Sequence, residues 1–382
     1  MIKSKLPHVG TSIFSVMSAL ANEHHALNLS QGFPNFPCDP ELVELVAKYM
    51  RDGKNQYPPM PGIFELREVI AAQTHKRYGA TVNPDSDITV VSGATQAIYT
   101  AITATVQQGD EVIVFAPAYD CYGPAIELSG GKVIEVPLHT PGFTIPFEKL
   151  REAITPRTRM IMVNTPHNPS GSLVTREDWL QLAEIVRDTD ILILSDEVYE
   201  HIVFDGEKHC SVLSIEELRQ RSFVVSSFGK TFHVTGWKMG YCIAPANLMT
   251  EFRKCHQFIV FTSHTPSQYA LAEYMQNDEK IDGLGPFYQR KRDVFLESLG
   301  ETRFAHSPAQ GTYFQLLNYS NITNESDVDY ARHLTIERGI ASIPISVFYS
   351  DGRNDHYLRF CFAKDDDTLR KAGELLNQIG SI

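Results

Sequence analysis

Apolar residues keep three different rhythms along this chain of 382 residues. Residues 1–40 hold four prolines, and LNLSQGFPNFPCDP carries a single short apolar patch, which predicts an irregular arm lying across the rest. Helical spacing follows from Pro40 to Tyr49. The turn-rich GKNQYPPMPG then leads into a second helix, IFELREVIAAQTHKRYG. From Asp87 the rhythm changes. Short continuous apolar runs (ITVV, EVIVFA, KVIEVP, RMIMVN, ILILS, FVVSS) alternate with helix-length segments such as ATQAIYTAITATV and TREDWLQLAEIVRD. Runs of that kind, bounded by turns, predict a mostly parallel sheet buried on both faces and flanked by helices, an α/β fold. Residues from about Leu248 to Gly300 are helical throughout. The order then becomes YFQLLNY (strand), DVDYARHLTIERG (helix), ASIPI, YLRFCFA (strand) and a closing helix. The expected organisation is an arm over 1–40 that packs with the last part, a large domain over 41–285, and a smaller α+β domain over 286–382.

Composition narrows the partners. A hydrophobic share of 43% with 21% charged residues is ordinary for a globular protein. The net charge of -12 leaves no excess of cations for phosphate backbones or anionic lipid, so a small molecule is expected rather than nucleic acid or membrane. Six scattered cysteines show no CxxC or other ligand spacing, which points to no metal and to a reducing compartment. No segment is apolar enough to span a bilayer and no cleavable leader is evident, so the expected location is the cytoplasm.

In an open parallel sheet, ligands bind beyond the carboxyl ends of the strands. The stretch VVSSFGKTFHVTGWKMGYCIAP places Lys230 where one apolar run ends, and Lys238 before the next. A lysine in a partly apolar pocket beside a second cation loses some preference for its charged form, which frees a lone pair to attack an aldehyde. Ser226, Ser227 and Lys238 suit a phosphate. A strand end capped by serines, with Lys230 in water, explains the same residues.

The other strand ends repeat this choice between site and scaffold. Gly93, Ala94 and Thr95 open a helix, where small residues and free N–H groups receive an anion, or simply make a junction. Tyr119 can cover a flat ring or fill the core. Asn168 in HNPSG suits a ring hydroxyl or a carboxylate, although a turn accounts for NPSG. Asp196 ends an apolar strand, and a buried carboxylate needs a partner such as a protonated ring nitrogen. Solvation is the competing account, and it fits Glu197 better. Tyr199 can donate to a ring oxygen. Arg359 stands alone among apolar neighbours, as a fork for a carboxylate or as the partner of an acid among Asp365 to Asp367. An amine, a phosphate cradle, an acid for a heterocyclic nitrogen and a carboxylate clamp together match pyridoxal phosphate with an amino-acid substrate. No HExxH or GxSxG offers a competing chemistry.

These landmarks resemble the fold-type-I, pyridoxal-phosphate-dependent class I/II aminotransferases. SSFGKTFHVTGWKMGY, HNPSG, SDEVY, SGATQAI and YLRFCFA stand in family order from Gly32 to Arg359. LSQGFPNF, NQYPPMPG and PAYDCYGPAIELSGG are similar to the kynurenine aminotransferase-like branch, with the bacterial methionine aminotransferases nearest. The resemblance implies a Schiff base between pyridoxal 5'-phosphate and Lys230, with Asp196 on the pyridine nitrogen, Asn168 and Tyr199 on the ring oxygen, and Tyr119 against the ring. Gly93, Ala94, Thr95, Ser227 and Lys238 would hold the phosphate. Tyr57 of a neighbouring subunit would join them, in a homodimer with its sites at the interface. Lys238 stands where part of the family has arginine, giving a point charge in place of a fork. Arg359, Asn168 and the backbone of Gly32 would take the substrate carboxylate. Ile13, Phe14, Tyr57, Tyr119 and Phe348 offer an apolar and aromatic lining with no second arginine, which favours methionine, and also aromatic amino acids or histidine, over aspartate. The implied reaction moves the amino group to a 2-oxo acid in ping-pong fashion. The rivals are kynurenine- or glutamine-type transamination, β-elimination from cysteine conjugates, and a non-catalytic ligand sensor.

Overall fold

The computed structural model describes residues 2–380; Met1, Ser381 and Ile382, at the outer ends of the expected arm and small domain, lie outside it. The first forty residues depart from the expected irregular arm. They contain a helix, α1 (Ile13–Glu23), and a short strand, β1 (Leu27–Asn28). Ser12 caps α1 by accepting from the Ser15 N–H, and Met17 and Ala21, four apart, are its buried face. The four prolines that signalled irregularity all fall outside α1, at 7, 34, 37 and 40. Helices α2 (Pro40–Arg51) and α3 (Phe64–Tyr78) follow where their spacing predicts them.

Strands β2 (Ile88–Val91), β3 (Glu111–Ala116), β4 (Lys132–Pro137), β5 (Thr158–Asn164), β6 (Leu192–Asp196), β7 (Ser222–Ser227) and β8 (Gly240–Ile243) form one sheet. Their order is β2-β8-β7-β6-β5-β3-β4. All run parallel except β8, which is antiparallel to both neighbours. Continuous apolar runs are needed because both faces are covered. Val112, Val114, Met160, Met162 and Leu194 enter one core, and Ile113, Phe115, Ile161, Val163 and Ile193 enter the other. Each such side chain contributes roughly 1.5–3 kcal/mol by leaving water. Helix α4 (Ala94–Thr105) packs between β2 and β3 in the chain, and α5 (Tyr122–Leu128) follows β3.

Register aligns the polar strand ends. Asn164 of β5 pairs with Asp196 of β6, which pairs with Val225 of β7. Across the antiparallel strand, Ser227 faces Gly240 and Gly240 faces Val91. The polar residues that end these apolar runs therefore lie in one row along a single edge.

The later strands β9 (Phe314–Asn318), β10 (Ile340–Ala341), β11 (Ile343–Pro344) and β12 (Tyr357–Cys361) form smaller sheets. β12 lies between β11 and β9, both antiparallel to it, and sets Arg359 opposite Leu316 and Ile343. β1 pairs in parallel with β10, so the N-terminal segment is laced to the C-terminal part of the chain. Pro286 falls inside the helix Leu284–Leu299, near its start. Among the described residues no helix is long and apolar enough to cross a membrane.

Candidate active site

The row of strand ends closes around a cavity of about 420 Å³. At one end stands the N-terminus of α4. Its cap, Gly93, holds φ at +83° and supplies no side-chain acceptor, so the first N–H groups of the helix stay open. A Cβ on Gly93 would sit 3.3 Å from Lys238 Cε and 3.5 Å from its Nζ. The positive φ, more than this contact with the flexible end of a lysine, is what calls for glycine here. Lys238 is itself in the left-handed region, at φ +55°, just ahead of β8. Gly240 is needed for close approach: a Cβ there would lie 2.6 Å from the Ser226 carbonyl oxygen and 3.3 Å from the Ala94 nitrogen, both backbone. Helix N–H groups, the Lys238 cation and the Ser227 hydroxyl thus form a compact anion cradle.

Lys230 sits on the single-turn helix Phe228–Thr231, whose cap Ser227 accepts from the Lys230 N–H at 3.3 Å. Its Nζ donates to the Gly32 carbonyl at 3.0 Å and lies 5.7 Å and 5.5 Å from the ring centres of Tyr199 and Tyr313. No carboxylate pairs with it among the described residues. Burial lowers its pKa to about 8; Cys361 pulls it back upward, the nearby Arg359 and Lys238 push it down, and Asp196 adds a weaker upward pull.

Asp196 is buried at the end of β6. Its carboxylate accepts from the Tyr122 hydroxyl at 2.6 Å and from the Val198 N–H at 3.3 Å. Burial still raises its pKa to about 6, since those donors and Lys230 only partly offset the lost water. Asn164, beside it in the ladder, donates to the Asp196 carbonyl at 2.8 Å and accepts from the Asn168 N–H at 2.8 Å.

Arg359 is 1% exposed and has no acidic partner among the described residues. Asp365 is bonded to Asn35 and Thr368, Asp366 to Arg290 and Lys291, and Asp367 to Arg370. The ion pair offered as its alternative role is therefore not made. Arg359 Nη1 donates to Asn168 Oδ1 at 2.8 Å and Nη2 to the Ser30 carbonyl at 3.1 Å, while its buried Nε has no partner. The guanidinium lies 3.9 Å from the Phe314 ring centre and 5.2 Å from that of Phe14. A buried cation held only by neutral oxygens, with one donor unused, suits an anionic ligand.

Phe14, Gly32, Gly93, Ala94, Thr95, Tyr119, Asn168, Asp196, Tyr199, Ser227, Lys230, Lys238 and Arg359 all line this one cavity. Tyr57 does not: it is 85% exposed and packs edge-on against Phe261 at 5.7 Å. Phe348 stands behind Phe14, at 5.9 Å between rings, and Ile13 is likewise absent from the lining. Glu197 is not solvated, as its position after Asp196 suggested. It is fully buried, accepts from Ser195 Oγ and the Val212 N–H, and lies 2.7 Å from His209 Nε2. Asn164, Gln31, Phe33, Phe314 and Tyr122 were not singled out from the sequence. Asn164 ends an apolar run just as Asp196 does and was legible on that ground. Phe314 reaches Arg359 through the pairing of β9 with β12, which leaves no local trace.

The donor set fits pyridoxal phosphate: an anion cradle, an amine of lowered pKa, a buried carboxylate able to receive a cationic ring nitrogen, and an unsatisfied guanidinium donor. Among the described residues no group of three potential ligands could hold a metal ion. The chain belongs to the class I and II aminotransferases, whose family model matches residues 24–376. That family implies pyridoxal phosphate.

Among particular relatives, the chain is 47% identical to the methionine aminotransferase of Escherichia coli strain K12, covering 99% of this chain and 98% of that one. The crystal structure of an Escherichia coli protein identified as having a methionine aminotransferase function matches with a TM-score of 0.97 at 47% identity, over 99% of each chain. N-succinyldiaminopimelate aminotransferase from Mycobacterium tuberculosis matches with a TM-score of 0.95 at 34% identity, over 100% of each. Human kynurenine–oxoglutarate transaminase 1 is 32% identical over 94% of this chain and 93% of its own.

Proposed function

We propose that this aminotransferase moves the amino group of methionine, and also of aromatic amino acids or histidine, to a 2-oxo acid. The observation that carries the reading is the pairing of Lys230 with Arg359 across one pocket: an amine shifted toward its neutral form, and a buried guanidinium with an unused donor. Pyridoxal phosphate, when bound, supplies an aldehyde to take up the amino group and a ring that draws electron density from the substrate α carbon.

This chain's residues do the rest. Lys230 would hold the cofactor through Nζ, and its amine of lowered pKa suits it to serve as the base that takes and returns the substrate α proton. Asp196 would hold the proton on the ring nitrogen, and the Tyr122 hydrogen bond favours and aims its ionised carboxylate. Asn168 spends its Oδ1 on Arg359, which leaves its Nδ2 to donate to the ring oxygen together with Tyr199. Tyr119 covers the ring. The backbone of Gly93, Ala94 and Thr95, with Ser227 and Lys238, binds the phosphate. Arg359, Asn168 and Gly32 take the substrate carboxylate, with Phe14 over the guanidinium.

Side-chain choice follows from the lining. Phe14, Phe33, Tyr119 and Phe314 make the rim apolar, and its cations are Lys230, Lys238 and Arg359, each with a task already. None is left for a second substrate carboxylate. The 47% identity to a methionine aminotransferase supports the same choice. A donor panel on purified enzyme tests it: methionine and phenylalanine should exceed aspartate in kcat/KM, and a preference for aspartate would refute the assignment.

We infer a homodimer in which Tyr57 from a second copy completes the phosphate site. Tyr57 is exposed beside Phe261, and Phe258, Val43 and Met50 are also exposed apolar side chains. The expected division into an arm, a large domain over 41–285 and a small one over 286–382 belongs to the same reading, as does a reducing cytoplasmic setting, for which the six free cysteines speak.

A further inference from the structure

The proposed function gives no task to His167, the first residue of HNPSG. Its ring is buried and bonded at both nitrogens. Nε2 lies 3.0 Å from the Pro117 carbonyl oxygen and Nδ1 lies 2.7 Å from Ser170 Oγ. A carbonyl oxygen only accepts, so Nε2 carries the proton, and Nδ1 accepts from the Ser170 hydroxyl. Burial lowers the pKa of the ring to about 4, which keeps it neutral through the working range.

The two bonds connect loops that carry different parts of the site. Pro117 lies between the end of β3 and Tyr119, and His167 immediately precedes Asn168. The ladder between β3 and β5 pairs Val114 with Met162 as its last match, although β3 continues to Ala116 and β5 to Asn164. Beyond that pair the two strands have no further register partners among the described residues. A cavity of about 30 Å³, lined by Tyr119, Tyr122, Asn164, His167 and Asn168, lies alongside, so close packing does not set the spacing by itself. The His167 end of the span is rigid. Its N–H donates to the Ser172 carbonyl at 2.9 Å and its carbonyl accepts from the Gly171 N–H at 2.7 Å.

We propose that His167 is a positioning residue: its neutral ring bridges the β3 and β5 loops and sets the distance between Tyr119, assigned to the face of the cofactor ring, and Asn168, assigned to its oxygen. The inference rests on the assignment of that site to pyridoxal phosphate.

The test compares His167→Gln, His167→Phe and Ser170→Ala. Glutamine places an amide N–H near the position of Nε2; phenylalanine keeps the ring volume without either bond; Ser170→Ala removes only the Nδ1 partner. Cofactor-free proteins are titrated with pyridoxal phosphate by intrinsic fluorescence, the absorption band of the bound cofactor is recorded, and folding is followed by thermal melting. His167→Phe should weaken cofactor binding about tenfold and shift the band, since a buried carbonyl loses its donor and Tyr119 drifts from Asn168. Ser170→Ala should do the same to a smaller extent, and His167→Gln should recover affinity to within about threefold of wild type. Folded His167→Phe with wild-type affinity and band would overturn the proposal. So would His167→Gln as impaired as His167→Phe. Should His167→Phe not fold, Ser170→Ala with an unchanged affinity and band overturns it. Wild-type protein that took up no pyridoxal phosphate would instead refute the assignment of the site, and this inference with it.

Discussion

Tyr122 donates its hydroxyl to Asp196 across 2.6 Å, in a space where the two residues are only 3% and 4% exposed. The bond runs from the first turn of α5 to the last residue of β6, which brings together segments 74 positions apart in the chain. It favours the charged carboxylate that burial opposes, and burial prevails in the free protein, where the pKa is raised to about 6.

Removing that donor should raise the Asp196 pKa further, because the ionised form loses a hydrogen bond and the protonated form loses less. Tyr122→Phe should therefore lower kcat about tenfold at neutral pH. It should also move the acid limb of the kcat–pH profile to higher pH. Steady-state rates from pH 5 to about 9 check both outcomes. An unmoved acid limb would detach Tyr122 from the chemistry.

Lys230 makes an opposite contribution to stability. Its folded pKa, about 8, lies below the ordinary 10.5, so the folded state penalises the charged amine. The unfolded chain binds more protons between those two values, and stability must rise with pH across that window; below it the whole penalty is felt. Cofactor-free Lys230→Met should melt higher than cofactor-free wild type at pH 7, by roughly 2 °C or more, and should lack the wild type's rise above pH 8. Thermal melts across pH provide the comparison.

Tyr57 gives a test of the shared site. If Tyr57 serves the neighbouring subunit, then Tyr57→Ala and Lys230→Ala damage different halves of each dimer site. Mixing the two inactive proteins under subunit exchange should restore about one quarter of wild-type turnover, because half the dimers are mixed and each carries one intact site. No recovery, with exchange verified by mass, would place both residues in one chain's site.

The strands could be read in advance because burial on both faces demands uninterrupted apolar runs, and β2 through β7 show them. The chemistry was legible where a polar residue closes such a run, as Asp196 does, or follows it within a few residues, as Asn168 and Lys230 do. What escaped notice depends on contacts distant in sequence. Tyr122 meets Asp196, and Phe314 meets Arg359, only after the sheets have formed. Glu197 departs from the solvated position its sequence suggests because, besides the nearby Ser195 hydroxyl, it meets the Val212 N–H and His209, which the fold brings from further along the chain. Helix α1 was missed since flanking prolines dominate the composition of a stretch whose middle is free of them.

The account depends on a covalent bond from Lys230 Nζ to the cofactor, and the most direct measurement is borohydride reduction of the protein loaded with pyridoxal phosphate, followed by peptide mass mapping. The reduced cofactor should be found on the peptide containing Lys230, with Lys238 unmodified, and Lys230→Ala should take up none. Label on Lys238 or on another lysine, or an equal yield from Lys230→Ala, would contradict it.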